Sequence, residues 1–233
     1  KGLSVMKKLW ASLFGGVSIS NYISKELEVG FSNYGPSLGI GGVFSVKDKH
    51  EFVHKITLHV DTDEGRDQHD LEWFAVREHD FIAGDFSGMH AKSPSKFMVV
   101  PLNPYTYDIV FVDNTCYAEM KPYLQELRAY WHMSPKFDPK MTSLPEHFLK
   151  RDDVLECFKN IERLCYWRPG LYNLSMKVTA GAKFEEVVFD HTFELNETQI
   201  LSLKGNIPRI ADDVCCRGAI KYSTAKVPLQ LPA

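Results

Sequence analysis

Tyr172-Asn173-Leu174-Ser175-Met176-Lys177-Val178 places an apolar side chain at every second position and a polar one between. That rhythm is a strand with one face turned to an interior. A tight turn at Ala180-Gly181-Ala182 leads to a second row, Val187, Phe189, His191, Phe193 and Leu195, so the pair reads as a hairpin. The same rhythm runs through the front of the chain. Ile23, Lys25, Leu27, Val29 and Phe31 form one row with a lapse at Lys25. Leu38, Ile40, Gly42, Phe44 and Val46 form the next, then Phe52, His54, Ile56, Leu58 and Val60, then the run Leu71 to Val76. These four strands suggest an antiparallel meander buried on one face. Residues 79–95 read as loop, punctuated by Gly84, Gly88 and Pro94. Phe97–Leu102, Tyr107–Val112 and a last strand within Ala219–Leu231 complete the set.

Between the two β portions the period changes. Tyr117, Met120, Leu124, Leu127 and Trp131 lie on one helical face, as do Val154, Phe158, Ile161 and Cys165. Asp152 and Asp153 suit the positive N-terminal end of the second helix. After the hairpin, Asn196 with Gln199 has the spacing of a reciprocal helix cap, for a short helix ending near Gly205. Another helical turn is read over Ile210–Cys215. At the start, Val5, Met6, Leu9, Trp10, Leu13 and Phe14 form a stripe stopped by Gly15-Gly16. The leading reading there is an amphipathic helix docked on its own domain or on a partner, with peripheral membrane contact as a lesser role. A signal peptide beginning at Lys7-Lys8 and leaving at Ser18-Ile19-Ser20 is the alternative, but Ser12 and the glycines break its apolar run.

Neither β portion alone offers two faces of a stable core. The expected fold is therefore mainly β: an antiparallel two-sheet sandwich with an α-helical insert and a short N-terminal amphipathic helix. Residues 1–20 would be helix and linker, and 21–233 one sandwich domain with the insertion at about 115–167. Arg168-Pro169-Gly170-Leu171-Tyr172, leading into an alternating strand, resembles the Pro-Gly-x-Tyr lead-in of immunoglobulin-like sandwiches. The resemblance implies an immunoglobulin-like fold and no activity.

Lys and Arg number 27 against 30 Asp and Glu, a net charge of −3. This balance argues against a nucleic-acid partner, which would need a clustered basic surface. No apolar run is long enough for a membrane-spanning helix. Five cysteines, Cys116, Cys157, Cys165, Cys215 and Cys216, do not make a disulfide framework, and reduced thiols in a cytoplasmic protein are expected, with export the alternative. Sequons at Asn173 and Asn196 do not establish secretion.

Candidate chemistry is sparse. Gly35-Pro36-Ser37-Leu38-Gly39 matches G-x-S-x-G, yet a strand rather than a helix follows it, so it reads as a hairpin turn. Gly39-Ile40-Gly41-Gly42 fails as a dinucleotide loop for the same reason. The acidic stretch Asp61–Asp70 lacks EF-hand spacing and reads as a solvated connection. His54 and His191 interrupt apolar rows and would meet at a metal only if their strands faced each other. A Cys–His nucleophilic pair from Cys157 or Cys165 with His132 or His147 competes with plain core packing. The insert holds nine aromatics, and Tyr117, Tyr123, Tyr130, Trp131 and Trp167 are the candidate binding residues. Burial of these rings against the sandwich is the competing reading. The leading expectation is thus a non-catalytic module for protein binding or self-association, with no cofactor. A carbohydrate or small-ligand groove between Trp73, Trp131 and Trp167 is the second, and a metal-dependent hydrolase on the acidic loop the third.

Overall fold

Side chains alternating across a pleated strand need neighbours on both edges, and the neighbours found here are not those that sequence order suggests. The computed structural model describes residues 16–62, 68–82, 85–217 and 220–231, with side chains outside 78–91. The expected helix over residues 5–14 and positions 63–67 of the acidic loop lie outside the described residues. The strands are β1 (Ile19–Ser32), β2 (Gly35–Val46), β3 (Glu51–Thr62), β4 (Gln68–Ile82) and β5 (Asp85–Lys92). They continue with β6 (Phe97–Val99), β7 (Tyr105–Val112), β8 (Gly170–Ala180), β9 (Glu185–Leu195) and β10 (Thr224–Pro228). Helices are α1 (Asn114–His132), α2 (Glu146–Leu149), α3 (Asp152–Leu164), α4 (Glu197–Lys204) and α5 (Ile207–Cys215).

The protein is mainly β and antiparallel with a helical insert. All ten strands belong to one hydrogen-bonded sheet in the order β10-β1-β2-β7-β4-β3-β8-β9, with β5 on β4 and β6 on β3. In place of two separately paired sheets, one sheet curls until its ends meet. Thr192 of β9 and Gln230, just past β10, exchange both backbone hydrogen bonds, at 2.8 and 2.9 Å. The simple meander is also corrected, because β7 pairs between β2 and β4. Residues 79–82 and 85–92, expected as loop, belong to the paired strands β4 and β5.

Three register shifts explain where the sequence rows fail. The lapse at Lys25 is an irregularity between Ile23 and Leu27, after which Leu27, Val29 and Phe31 face the core. A shift between Val53 and Lys55 turns Phe52 outward, to 39% exposure, and puts Val53 inside with Ile56 and Leu58. A third, between Trp73 and Ala75, sets Phe74 apart from the β4–β7 ladder. Each adds length to one strand relative to its partner and so re-aims side chains.

The helices gather at the end marked by the β1–β2 turn, where Gly35 (φ +83°) lies beside Cys116 and Tyr117. Asp113 caps α1 through the Cys116 amide, 2.9 Å away. The cap expected at Asn196 and Gln199 is present in both directions. Tyr172 hydroxyl donates to the Arg168 carbonyl (2.8 Å) and accepts from the Arg168 amide (2.7 Å), which ties the returning chain to the start of β8. This is the geometry of a tyrosine corner, though in a single sheet. Trp167 is wholly buried against Tyr172 and Phe193, and its indole donates to the Gly30 carbonyl at 3.0 Å.

Asn206, fully buried at the start of α5, joins three pieces. Its Nδ2 donates to the carbonyls of Phe31 (3.0 Å) and Ser223 (2.8 Å), and its Oδ1 accepts from the Ser223 amide (2.8 Å). Replacing it by alanine strands buried backbone groups, each costing about 1–3 kcal/mol. The expected result for Asn206→Ala is a clear fall in the urea midpoint; a midpoint equal to wild type would remove the amide from this role.

Candidate functional site

A surface for binding has to be built from rings that the core does not already use, and most of the insert's rings are used. Trp131 and Trp167 are 0% exposed. Trp131 packs edge-on against Phe137 and Phe148, and Trp167 against Tyr172 and Phe193, so neither indole has a face open to a ligand. Tyr123 and Tyr130 are partly buried against the core, and the Arg151 guanidinium lies 5.9 Å from the Tyr130 ring centre. Of the five expected binding residues, Tyr117 alone joins an exposed aromatic cluster.

That cluster arises from local backbone geometry. Phe74 follows Trp73, lies on the outward face of β4, is left without a β7 partner by the irregularity there, and is 39% exposed. Its ring meets Tyr34, 38% exposed at the β1–β2 turn, with centroids 4.6 Å apart. Tyr34 in turn meets Tyr117 on α1 at 5.7 Å. Tilted rings at such distances attract through their quadrupoles as well as by area. Beside them lies a cleft of about 260 Å³, with Leu124 and Val214 as apolar walls and Lys121 and Arg128 as cations. Arg128 Nε donates to the Val214 carbonyl at 3.1 Å, which holds that charge in place. Among the described residues no acid lines the cleft. A rigid aromatic group beside fixed positive charge suits an acidic protein surface. Sequence reasoning missed Tyr34 and Phe74. The available signal was the contiguous run Trp73-Phe74-Ala75-Val76, where the alternation fails.

The larger concavity, about 640 Å³, lies on the outer face of β1, β2, β7 and β4. Arg77 stretches across it, donating to Asp108 at 2.7 and 3.0 Å and to Glu28 at 2.5 Å. Thr224 also donates to Glu28, at 2.9 Å. The arginine can lie flat because Gly39 is beneath it; a Cβ there would stand 2.6 Å from Nη2. Burial alone would raise the Glu28 pKa, but the hydrogen bond and charge of Arg77 outweigh it and hold the carboxyl below its ordinary 4.5.

The remaining sequence candidates are accounted for locally. Gly35 to Gly39 form the β1–β2 turn and the start of β2. His54 Nε2 donates to the Gly181 carbonyl at 2.9 Å. His191 faces Leu174, while His54 sits near Ala180, six residues along β8, roughly 20 Å away. The two imidazoles therefore do not converge. His69 Nδ1 donates to Asp113 at 3.3 Å and its ring stacks on Tyr166 at 3.4 Å, linking β4 to the α1 cap. Among the described residues no three His, Cys, Asp or Glu side chains are grouped to hold a metal ion. All five cysteines are free thiols. Burial pushes Cys116 and Cys157 up to about 12 and Cys165 up to about 11, so these thiols are protonated at neutral pH and poor nucleophiles. Cys157 donates to Glu126 rather than pairing with a histidine.

No family model matches the chain, and no curated protein does. Among solved structures it is similar to a family 123 glycoside hydrolase from Clostridium perfringens, studied for glycolipid glycan hydrolysis, at 11% identity and a TM-score of 0.32. The match covers 77% of this chain and 27% of that one, so the chain spans about a quarter of the enzyme's length.

The Arg77 strap sets a pH dependence. Because the Glu28 pKa is depressed on folding, its contribution is present above 4.5 and is lost as pH falls through the lowered folded value. Arg77→Gln should cost about 2–4 kcal/mol at neutral pH, somewhat under the range for fully buried pairs. It should also flatten the stability profile in the acid range. Urea titrations of both proteins at pH 7 and near pH 4 check this, and an unchanged acid profile would show that the strap does not set the dependence.

Proposed function

We propose that this chain is a non-catalytic β-rich module that acts by binding or assembly. Its contact surface is Phe74, Tyr34 and Tyr117 with the adjoining Lys121 and Arg128, and its partner an acidic protein surface. One observation carries the reading: Phe74, which the β4 irregularity leaves without a β7 partner, is exposed and builds a cluster with Tyr34 and Tyr117 instead of filling the core. Large rings are commonly buried unless contact is their purpose. The cations beside them exclude partners of like charge and speed encounter with acidic ones. A second reading has its own support. The 640 Å³ outer trough, with a glycine floor and charges of both signs, suits a neutral polar ligand such as a carbohydrate.

Tyr34→Ala with Phe74→Ala removes half-exposed rings, so the fold should survive with a melting temperature only a few degrees lower. A photo-crosslinking side chain at position 74 should form protein adducts in its native extract, or with a second copy in purified solution. The same group at Phe52 of β3, 39% exposed like Phe74, serves as the control. Adducts at 74 that vanish with Lys121→Glu and Arg128→Glu support the reading. Equal labelling from both positions, or none from 74, would overturn it.

A further inference from the structure

Among the described residues the curled sheet is closed at one level only. β10 pairs with β1 from Glu26 to Gly30, Leu229 donates to the Lys25 carbonyl, and Gln230 pairs with Thr192. Both flanking strands run on past this short tie. β1 continues through Ser24 to Ile19, and β9 through Asp190 to Glu185. At Gln230 the flanking strands stand two strand spacings apart, roughly 9–10 Å, which leaves the width of one strand between them. The seam ends where the Val17 amide donates to Glu185 Oε2 at 2.9 Å.

The backbone orientation along this seam follows from the last bridge. In an antiparallel strand the N–H and C=O of one residue point to the same side, and the side alternates. Thr192 directs both groups at Gln230, away from β8. The β8–β9 register is unbroken from Gly170/Leu195 to Ala180/Glu185. Asp190, Val188 and Glu186 therefore also direct their N–H and C=O into the seam, where no strand among the described residues pairs with them. The side chains agree. Ile23, Val187, Phe189 and His191 are only half-buried along the inner side. Outside, Glu186 and Asp190 are exposed acids flanking Val188, which is 44% exposed. Unpaired edge groups above a half-covered apolar row are a template for an added strand.

We propose that the seam between Ser20–Ser24 of β1 and Glu186–Asp190 of β9 accepts an extended segment of a partner protein as an additional antiparallel strand. Its apolar side chains turn inward onto Ile23, Val187 and Phe189, and Lys or Arg residues turn outward onto Glu186 and Asp190. This surface is distinct from the aromatic one and takes a partner of opposite charge, so either can fail alone.

The probe is a seven-residue peptide alternating Lys and Val, added to the intact chain, with a peptide of the same composition in two blocks as control. Amide exchange is read residue by residue. The amides of Glu186, Val188 and Asp190 should exchange freely at first and slow by about tenfold or more with the alternating peptide. The block peptide should leave them unchanged. Val188→Pro removes one seam-facing donor without touching the β8 ladder and should abolish the slowing. Should that variant not fold, Glu186→Gln with Asp190→Asn should weaken peptide binding severalfold and reduce its salt dependence. Slow exchange before peptide is added, with a monomer by light scattering, means that this chain fills its own seam and overturns the proposal. The same protection in a dimer assigns the seam to a second copy and overturns it too. Equal slowing by the block peptide, or none by either, does so as well.

Discussion

A buried amide decides where the last strand joins the first. Asn206 holds the Phe31 carbonyl and both backbone groups of Ser223, so the chain leaving α5 is placed beside the end of β1 before β10 begins. The pairing of Gly30 with Thr224 follows from that placement. Closure at Thr192 and Gln230 then follows from the length of chain beyond it. In a low-dielectric interior an amide with all its partners in place is both stabilising and selective, because any slipped register leaves donors and acceptors unmatched.

The polar groups that looked like chemistry serve mostly as fasteners. Arg77 binds strands across the outer face, His69 links β4 to the cap of α1, and His54 holds the β8–β9 turn. Each makes a hydrogen bond to a structural neighbour. The buried thiols are held protonated by desolvation. The two surfaces proposed for binding are a ring cluster beside an irregular strand and an edge unpaired among the described residues. Both go with mismatched strand lengths: β4 carries an extra residue at Phe74, and β10 is shorter than the strands it joins.

Much of the local structure was readable from the residues. The alternation in β8 and β9, the stripes of α1 and α3 and the capping pair Asn196 and Gln199 are dictated by interactions within a few positions. Tyr172 likewise revealed the turn that precedes its strand. The irregularities were readable only as lapses. Lys25 interrupted a row, and Phe74 stood in a run without alternation, but neither lapse says which way the displaced side chain goes. Phe52 and His54 misled outright, because a shift inside β3 exchanged the faces of the strand midway. For the candidate site, Tyr117 was legible as an aromatic on the α1 stripe, in the same row as Trp131. Trp131 and Trp167 were indistinguishable from it by composition, since a large ring suits a core and an interface equally well.

By itself, the sequence determined that the chain would be mostly strands with a helical excursion, because side-chain period and capping are set by neighbours along the backbone. It also determined that the strands on both sides of the excursion must share one interior, since neither group has enough apolar surface alone. Only the tertiary structure decided that β7 enters between β2 and β4, that a single sheet curls to meet its own end, and which rings stay outside. Strand pairing is a non-local choice: a backbone edge offers the same donors and acceptors to every candidate neighbour. The selection falls to packing and register over the whole fold.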